Sequence, residues 1–474
     1  MNFHQEWATE GIWSEMPQQL EGRTGPASRP LMAIGRQTDH WETVLHWKSL
    51  PATNESATLL LAVAIEDRDF KRLHFLDANT RELLAELPVE CADNYQILEI
   101  ELSPQTLLKI KEHGLKIEMV EGSQPLWLFA PDANSKQGLE LHLPRITSGS
   151  FDFCEAALQN ALFSLGSLQA FGWKEGCVLD GLWEHHQRTN SAAALAAFKR
   201  HLNYFGFDSK QLKYETPRNI RVFDSVYGVE GTLPFAHAAL LDKNHPWVDL
   251  AIKFWLGLLE ENGMAHDSDV ITAEGAYTVA YPMAMVGQLR GNTILIEAAE
   301  KLLLESYWRL FQSDGIYLRH FANGKRTHRN WARGTAWLLL GHAQTLRCEV
   351  DFTKRAELIQ QFQTLTTYIA KYQQPNGLWA CYIDEPQISA DTAGSAGIAA
   401  SFAIGAAEGF LAPEFKQYAS RAFTGLTSQL TSEGFLRGCA QSNKDGEDLQ
   451  RSNYRVISPY ALGLLGFLQA ALRQ

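Results

Sequence analysis

The chain has 474 residues, more than one compact core usually organises, so it is expected to be multidomain. Its hydrophobic content of 45%, with 13 Trp, 14 Tyr and 24 Phe, is that of a water-soluble protein with an aromatic surplus. A formal charge of −12 with no run of Lys or Arg argues against nucleic acid as a partner, and an anionic ligand would need a local basic pocket.

The opening residues, Met1-Asn2-Phe3-His4-Gln5-Glu6, lack the basic start and apolar run of a secretion signal. No stretch approaches the length of a membrane span, so a cytoplasmic protein with no membrane partner is expected. From about residue 40 to 145, short runs rich in Val, Ile, Leu and Phe alternate with turn-forming residues. These runs are Thr43–Lys48, Ala57–Ile65, Arg72–Leu76, Ile97–Leu102, Leu115–Val120, Leu126–Ala130 and Leu139–Leu143. Strands at this spacing predict an N-terminal β-sandwich, jelly-roll-like, over residues 1–147. One helix interrupts it at Pro104–His113, where Ser103 is the cap and Pro104 takes the first helical position.

After Pro144 apolar residues recur at helical spacing to the end of the chain. Helices are expected near 152–171, 190–205, 230–241, 246–261, 276–289, 293–312, 333–347, 353–372, 393–410, 413–430 and 456–473. Long loops alternate with short connections such as Leu289–Thr293, as in a ring of helical hairpins, so residues 148–474 read as an all-α (α/α)6 barrel. The six cysteines are scattered without a CxxC pair and signal neither a zinc site nor a disulfide framework. No phosphate-binding glycine loop and no His-x-x-x-His helix is present, so no metal and no cofactor is expected.

The segment with the most chemical content is Trp331-Ala332-Arg333-Gly334-Thr335-Ala336-Trp337, at the mouth of a helix. Aromatic faces stack on pyranose rings, and a guanidinium forks onto a carboxylate, so the pattern suits an acidic sugar. The structural alternative has both Trp residues in the core and Arg333 in a salt bridge. Two acids open earlier hairpins: Asp224 in Arg221–Gly228, which competes with a turn-cap role, and Glu274 in Ile271–Tyr277, which competes with a first-turn role. His320, in Gly315–Phe321, stands between apolar neighbours and has a structural alternative too. Asp391 opens a helix of small residues in which Gly394 and Gly397 suit helix packing.

Order and spacing resemble the unsaturated uronyl hydrolases of glycoside hydrolase families 88 and 105, six-hairpin glycosidases. The resemblance rests on Trp331, Arg333, Gly334 and Trp337, on the loop holding Asp224, and on Ala273–Pro282 with Glu274 and Tyr277. It also rests on Gly315–His320 and on the Asp391–Ala400 helix start. It covers most of residues 150–474 and none of the β region. Two departures stand out: the second acid of these families is usually Asp where this chain has Glu274, and Thr335-Ala336 replaces the Asn-Gly more usual in the second family.

The resemblance implies removal of a 4,5-unsaturated uronic acid from the non-reducing end of an oligosaccharide, by hydration of its vinyl ether. In that scheme Glu274 is the acid/base and Asp224 the neighbouring carboxylate. Arg333 holds the uronate, and Trp331, Trp337, His320, Tyr277 and Asp391 contact or shape the sugar site. The proton donor needs an apolar wall or a second carboxylate to keep its proton near neutral pH. Two other readings stand beside it: hydrolysis of a saturated glucuronide by two carboxylates, and a non-catalytic binder of acidic sugar. The β domain is expected to pack on the barrel or to mediate contacts in a homo-oligomer.

Overall fold

The computed structural model describes residues 7–8, 23–36, 43–47, 50, 57–130, 139–148, 155–260, 263 and 270–473. The β region comprises β1 (Trp7–Ala8), β2 (Leu31–Ile34), β3 (Thr43–Trp47), β4 (Ala57–Ala62), β5 (Lys71–Asp77), β6 (Leu83–Val89), β7 (Ile97–Leu102), β8 (Leu115–Glu121), β9 (Leu126–Phe129) and β10 (Arg145–Ser148). One antiparallel sheet runs β1-β3-β8-β5-β6 and a second runs β10-β4-β7. The β2-β9 pair joins the second sheet through a bridge from Leu128 to Val63. Helix α1 (Pro104–His113) starts on Ser103, whose Oγ accepts from the Thr106 N–H at 3.1 Å, and its Leu107 and Ile110 enter the core.

The period of two along β4 explains why Ala57–Ile65 is apolar throughout. Leu59, Leu61 and Val63 join Leu73, Phe75 and Ile117 in the core between the sheets, whereas Leu60, Ala62 and Ala64 belong to the apolar cluster of the helical half. A sheet covered on both faces has no polar side to present. The other sheet does face water, through ion pairs of Arg72 with Glu86 and Glu121. Strand β6 escapes the sequence pattern because only Val89 of it is buried and it carries Pro88, and Leu139–Leu143, expected as a strand, is a 3-10 turn at Glu140–His142 followed by β10.

The helical half contains α2 (Glu155–Leu162), α3 (Trp173–Thr189), α4 (Ala192–Tyr204), α5 (Leu233–Leu241), α6 (Pro246–Gly257), α7 (Ala273–Gly275), α8 (Tyr281–Arg290), α9 (Thr293–Leu310), α10 (Ala332–Leu346), α11 (Arg355–Ala370), α12 (Thr392–Ala407), α13 (Phe415–Thr427), α14 (Gly446–Arg451) and α15 (Tyr460–Leu472). Helices α3, α5, α8, α10, α12 and α15 touch in that cyclic order and close an inner ring. Outside them pack α4, α6, α9, α11, α13 and α2 respectively, which completes an (α/α)6 barrel. Among the described residues no helix is long and apolar enough to cross a membrane.

The helix expected over 152–171 is instead the short α2 and a 3-10 turn at Leu165–Ser167; residues 152–154 lie outside the described ones. The barrel's central α3 has no counterpart among the expected helices. It is buried nearly all round, yet Lys174, Glu175, Asp180, Glu184 and His185 lie on it, so apolar periodicity is absent.

The two halves are joined by more than apolar packing. Arg145 forks onto Glu433, with Nε at 2.8 Å from both carboxylate oxygens and both side chains 6% exposed. Arg437 pairs with Glu99 in the same bidentate way. Such joints hold one domain against the other more firmly than a typical interdomain contact.

Candidate active site

A narrow cleft with about 40 Å³ of internal volume lies where the mouth of the barrel meets the β domain. Its walls include Trp173 and Lys174 at the head of α3, Glu230, Glu274, Trp331, Arg333, Trp337, Tyr460 and the 440–444 segment. Glu66 and Asp93 reach it from the β domain.

Glu274 sits in the first turn of α7, directly after strand β13 (Val270–Thr272). Thr272 caps that turn, its Oγ1 accepting from the Gly275 N–H at 3.1 Å. Residues Ala276–Ala280 then form one turn of π-helix before α8 resumes, and the Thr232 hydroxyl donates to the Thr278 carbonyl there. The side chain of Glu274 keeps a quarter of its surface open. Burial raises its pKa above the usual carboxylate value, Arg319 opposes this with Nη2 at 4.0 Å, and the charge of Glu230 raises it further. Lys444 and Arg333 also pull it down, but the net direction is upward.

Arg333, at the second position of α10, is 4% exposed. Its Nε donates to Asp391 Oδ2 at 3.1 Å, and Nη2 donates to the carbonyls of Ala440 at 2.5 Å and Gln441 at 3.0 Å. Burial alone would favour the neutral guanidine, but Asp391 beside it outweighs this and the group keeps its charge. Among the described residues Nη1 has no hydrogen-bond partner, and Arg333 lines the cleft. Asp391 organises this whole corner: as the cap of α12 its Oδ1 accepts from Ala393 N and from Ala440 N, so one carboxylate holds both Arg333 and the 440–441 segment that Arg333 grips. Gly394 lets α12 come this close, since a Cβ there would lie 2.8 Å from that of Ala332.

The aromatic walls differ from a pair of open platforms. Trp337 is stacked on Tyr277, centroids 5.7 Å apart at 8°, and the Arg333 guanidinium lies 4.9 Å over the Trp331 ring. Both indoles are at most 3% exposed and reach the cleft only in part. Trp173, half-buried and in edge contact with Trp337 and Tyr460, is the more open ring. Gly172, at φ 132°, places it: a Cβ on Gly172 would come within 2.8 Å of the Glu230 carbonyl, so the absence of a side chain lets the Glu230 turn close on α3.

Of the residues expected from sequence, Glu274, Arg333, Trp331 and Trp337 meet in this cleft. Asp224 does not. It is exposed at φ 42°, its Oδ1 accepts from the Leu212 N–H at 2.8 Å and its own N–H donates to the Leu212 carbonyl at 2.9 Å, so it ties the open end of the hairpin of β11 (Lys213–Glu215) and β12 (Arg221–Phe223). Glu230, six residues on, is the carboxylate at the cleft. His320 is also outside, because side chains alternate along β15 (Gly315–Phe321): Arg319 approaches Glu274, and the charges acting on His320 are Arg326, Arg309 and Glu305. Tyr277 is fully buried with its hydroxyl on Asp180, so it backs Trp337 from below. Asp391, fully buried, touches Arg333 and not the cleft. Sequence reasoning passed over Trp173, Lys174 and Glu230; an aromatic and a Lys directly after Gly172 were the one signal available.

Residues 273–472 match the model of Glycosyl Hydrolase Family 88. No curated protein matches the chain. Among solved structures, a Klebsiella pneumoniae protein described as a possible member of the GH105 family has a TM-score of 0.57 at 16% identity, over 73% of this chain and 99% of its own. A family 105 glycoside hydrolase from C. acetobutylicum has a TM-score of 0.57 at 16% identity, over 68% of this chain and 99% of its own. An unsaturated glucuronyl hydrolase specific for heparin has a TM-score of 0.51 at 14% identity, over 67% and 96%. Identities this low speak for the fold. The closed ring of helical hairpins, with a β-sandwich in front of it, shares its helical fold with these solved structures, and residues 273–472 within it are similar to glycoside hydrolase family 88.

Proposed function

We propose that the protein is a glycoside hydrolase that removes a 4,5-unsaturated uronic acid from the non-reducing end of an oligosaccharide. One observation carries the reading: a carboxyl with a raised pKa, Glu274, and a charged guanidinium, Arg333, border the same aromatic-walled cleft. The uronate carboxylate takes the Nη1 edge of Arg333 and the ring packs on Trp173. Glu274 gives its proton to C4, and water adds at C5 while a carboxylate, Glu274 itself or Glu230, accepts the water's proton. The C5 hemiketal so formed opens by breaking its C5–O5 bond, which leaves a ketone at C5 and a hemiacetal at C1; the hemiacetal hydroxyl then loses its proton, the C1–O bond to the remaining saccharide breaks to leave an aldehyde, and the saccharide takes up a proton and departs as an alcohol. Two carboxylates in one cleft also fit acid/base hydrolysis of a saturated glucuronide. Incubation with an unsaturated disaccharide should abolish its ultraviolet absorbance, whereas release of glucuronic acid from a saturated glycoside, with the unsaturated one untouched, would select the second reaction.

The proton on Glu274 gives a pH test with opposite signs. Arg319→Gln removes the attractive charge and holds the proton to higher pH, while Glu230→Gln removes a repulsive charge and releases it earlier. The basic limb of the pH–rate profile should move up by roughly half to one unit in the first variant and down by a similar amount in the second. Asp224→Asn should leave it in place. Unmoved limbs in both cleft variants would remove Glu274 as the donor.

A further inference from the structure

The cleft is not built by the barrel alone. Glu66 follows β4 and Asp93 precedes β7, both on the sheet edge that abuts the barrel. Their loops are pinned to the barrel segment 217–219: Asn219 Oδ1 accepts from the Glu66 N–H at 3.0 Å, Asn219 Nδ2 donates to the Ala64 carbonyl at 3.1 Å, and Asn94 Nδ2 donates to the Pro217 carbonyl at 3.1 Å. Asp93 takes the Lys174 Nζ at 2.5 Å, so this buried cation is already neutralised. Glu66 accepts from exposed Arg68 at 3.2 Å through Oε1 alone.

The charge balance of the cleft follows. Four carboxylates, Glu66, Asp93, Glu230 and Glu274, face three cations, Lys174, Arg333 and Lys444. Lys174 is held by Asp93, the charge of exposed Lys444 acts on Glu274, and Arg333 has Nη1 alone without a hydrogen-bond partner among the described residues. Beside them two buried polar atoms on cleft residues, Tyr460 Oη and Asn443 Nδ2, have no hydrogen-bond partner among the described residues, on side chains 2% and 9% exposed. Acceptors, unmet donors and the half-open Trp173 ring together suit a sugar with free hydroxyls and no second negative charge.

We infer that the β domain supplies the subsite for the leaving sugar, where Glu66 and Asp93 accept hydrogen bonds from a neutral ring and reject one that bears a sulfate or a second carboxylate. This rests on the uronate being held at Arg333. The test uses full-length protein carrying Glu274→Gln and calorimetry with three ligands: the methyl glycoside of the unsaturated uronate, an unsaturated uronyl disaccharide with a neutral leaving sugar, and its sulfated form. The neutral disaccharide should bind more tightly than the methyl glycoside and at least about 10-fold more tightly than the sulfated one. Adding Asp93→Asn, which frees the Lys174 charge, should bring the sulfated form to within about 3-fold. Glu66→Gln, whose side chain has only an exposed partner, should shift the ratio in the same direction and serves if the Asp93 variant melts early. A sulfated ligand bound as tightly as the neutral one, a disaccharide bound no better than the methyl glycoside, or no binding at all overturns the subsite. Turnover by the native protein separates the two levels: discrimination without turnover keeps the subsite and removes the hydrolase reading, and turnover without discrimination does the reverse.

Discussion

Glu274→Gln is expected to lower kcat on an unsaturated uronyl disaccharide by roughly 10³-fold, within the range for loss of a general acid, with little change in substrate affinity. The same variant should be at least as stable as the native protein at neutral pH. The sign follows from linkage. Below the unfolded-state pKa, Glu274 is protonated in both states and pH has no effect; as pH rises through the higher folded value, the native fold must hold a carboxylate that burial disfavours, and stability is lost. Glutamine removes that penalty. A thermal melt beside the rate assay therefore separates lost chemistry from lost structure: a slow variant with a lowered melting temperature would speak for a structural role of Glu274, not a catalytic one.

The second large effect is expected at the Arg333–Asp391 pair. Arg333→Lys keeps a charge but cannot reproduce the contacts to Asp391, Ala440 and Gln441 while presenting a flat edge to a carboxylate, so kcat/KM should fall on the order of 100-fold. Asp391→Ala should act chiefly on stability, by about 3–5 kcal/mol, because it leaves a buried guanidinium unpaired and frees the segment at Ala440. Denaturant melts of the single and double variants give the coupling directly, and two independent effects would show that the pair does not act as a unit.

Much of the fold was legible because burial is one-sided in most elements. Strands such as β5 and helices such as α9 and α13 carry one apolar face, and their periods show in the chain. Legibility failed where burial is two-sided or nearly absent. Helix α3 is surrounded by protein and uses its polar side chains internally, Asp180 accepting from His237, Gln344 and Tyr277, so no stripe marks it. Strand β6 has too little buried face to alternate.

The candidate site divides in the same way. Arg333, Trp331 and Trp337 share one helix entrance, where spacing along the chain fixes neighbours in space. Between Asp224 and Glu230 spacing decides nothing: a left-handed backbone and the N–H of Leu212 claim the first acid for the open end of the β11–β12 hairpin, and only the fold brings the second to the cleft. His320 and Arg319 differ by one position on a strand, which reverses the face. The contributions of Glu66 and Asp93 could not be read at all, because they depend on how two domains meet.

The proposed reaction needs one arrangement, a uronate carboxylate on the Nη1 edge of Arg333 with its ring carbon C4 facing residue 274. The direct measurement is a crystal structure of Glu274→Gln with an unsaturated uronyl disaccharide. The arrangement predicts an oxygen of the sugar carboxylate within hydrogen-bond distance of Arg333 Nη1, C4 next to the residue 274 amide, and the leaving sugar between Trp173 and the β domain. A uronate bound away from Arg333, or with C4 turned from residue 274, would contradict it.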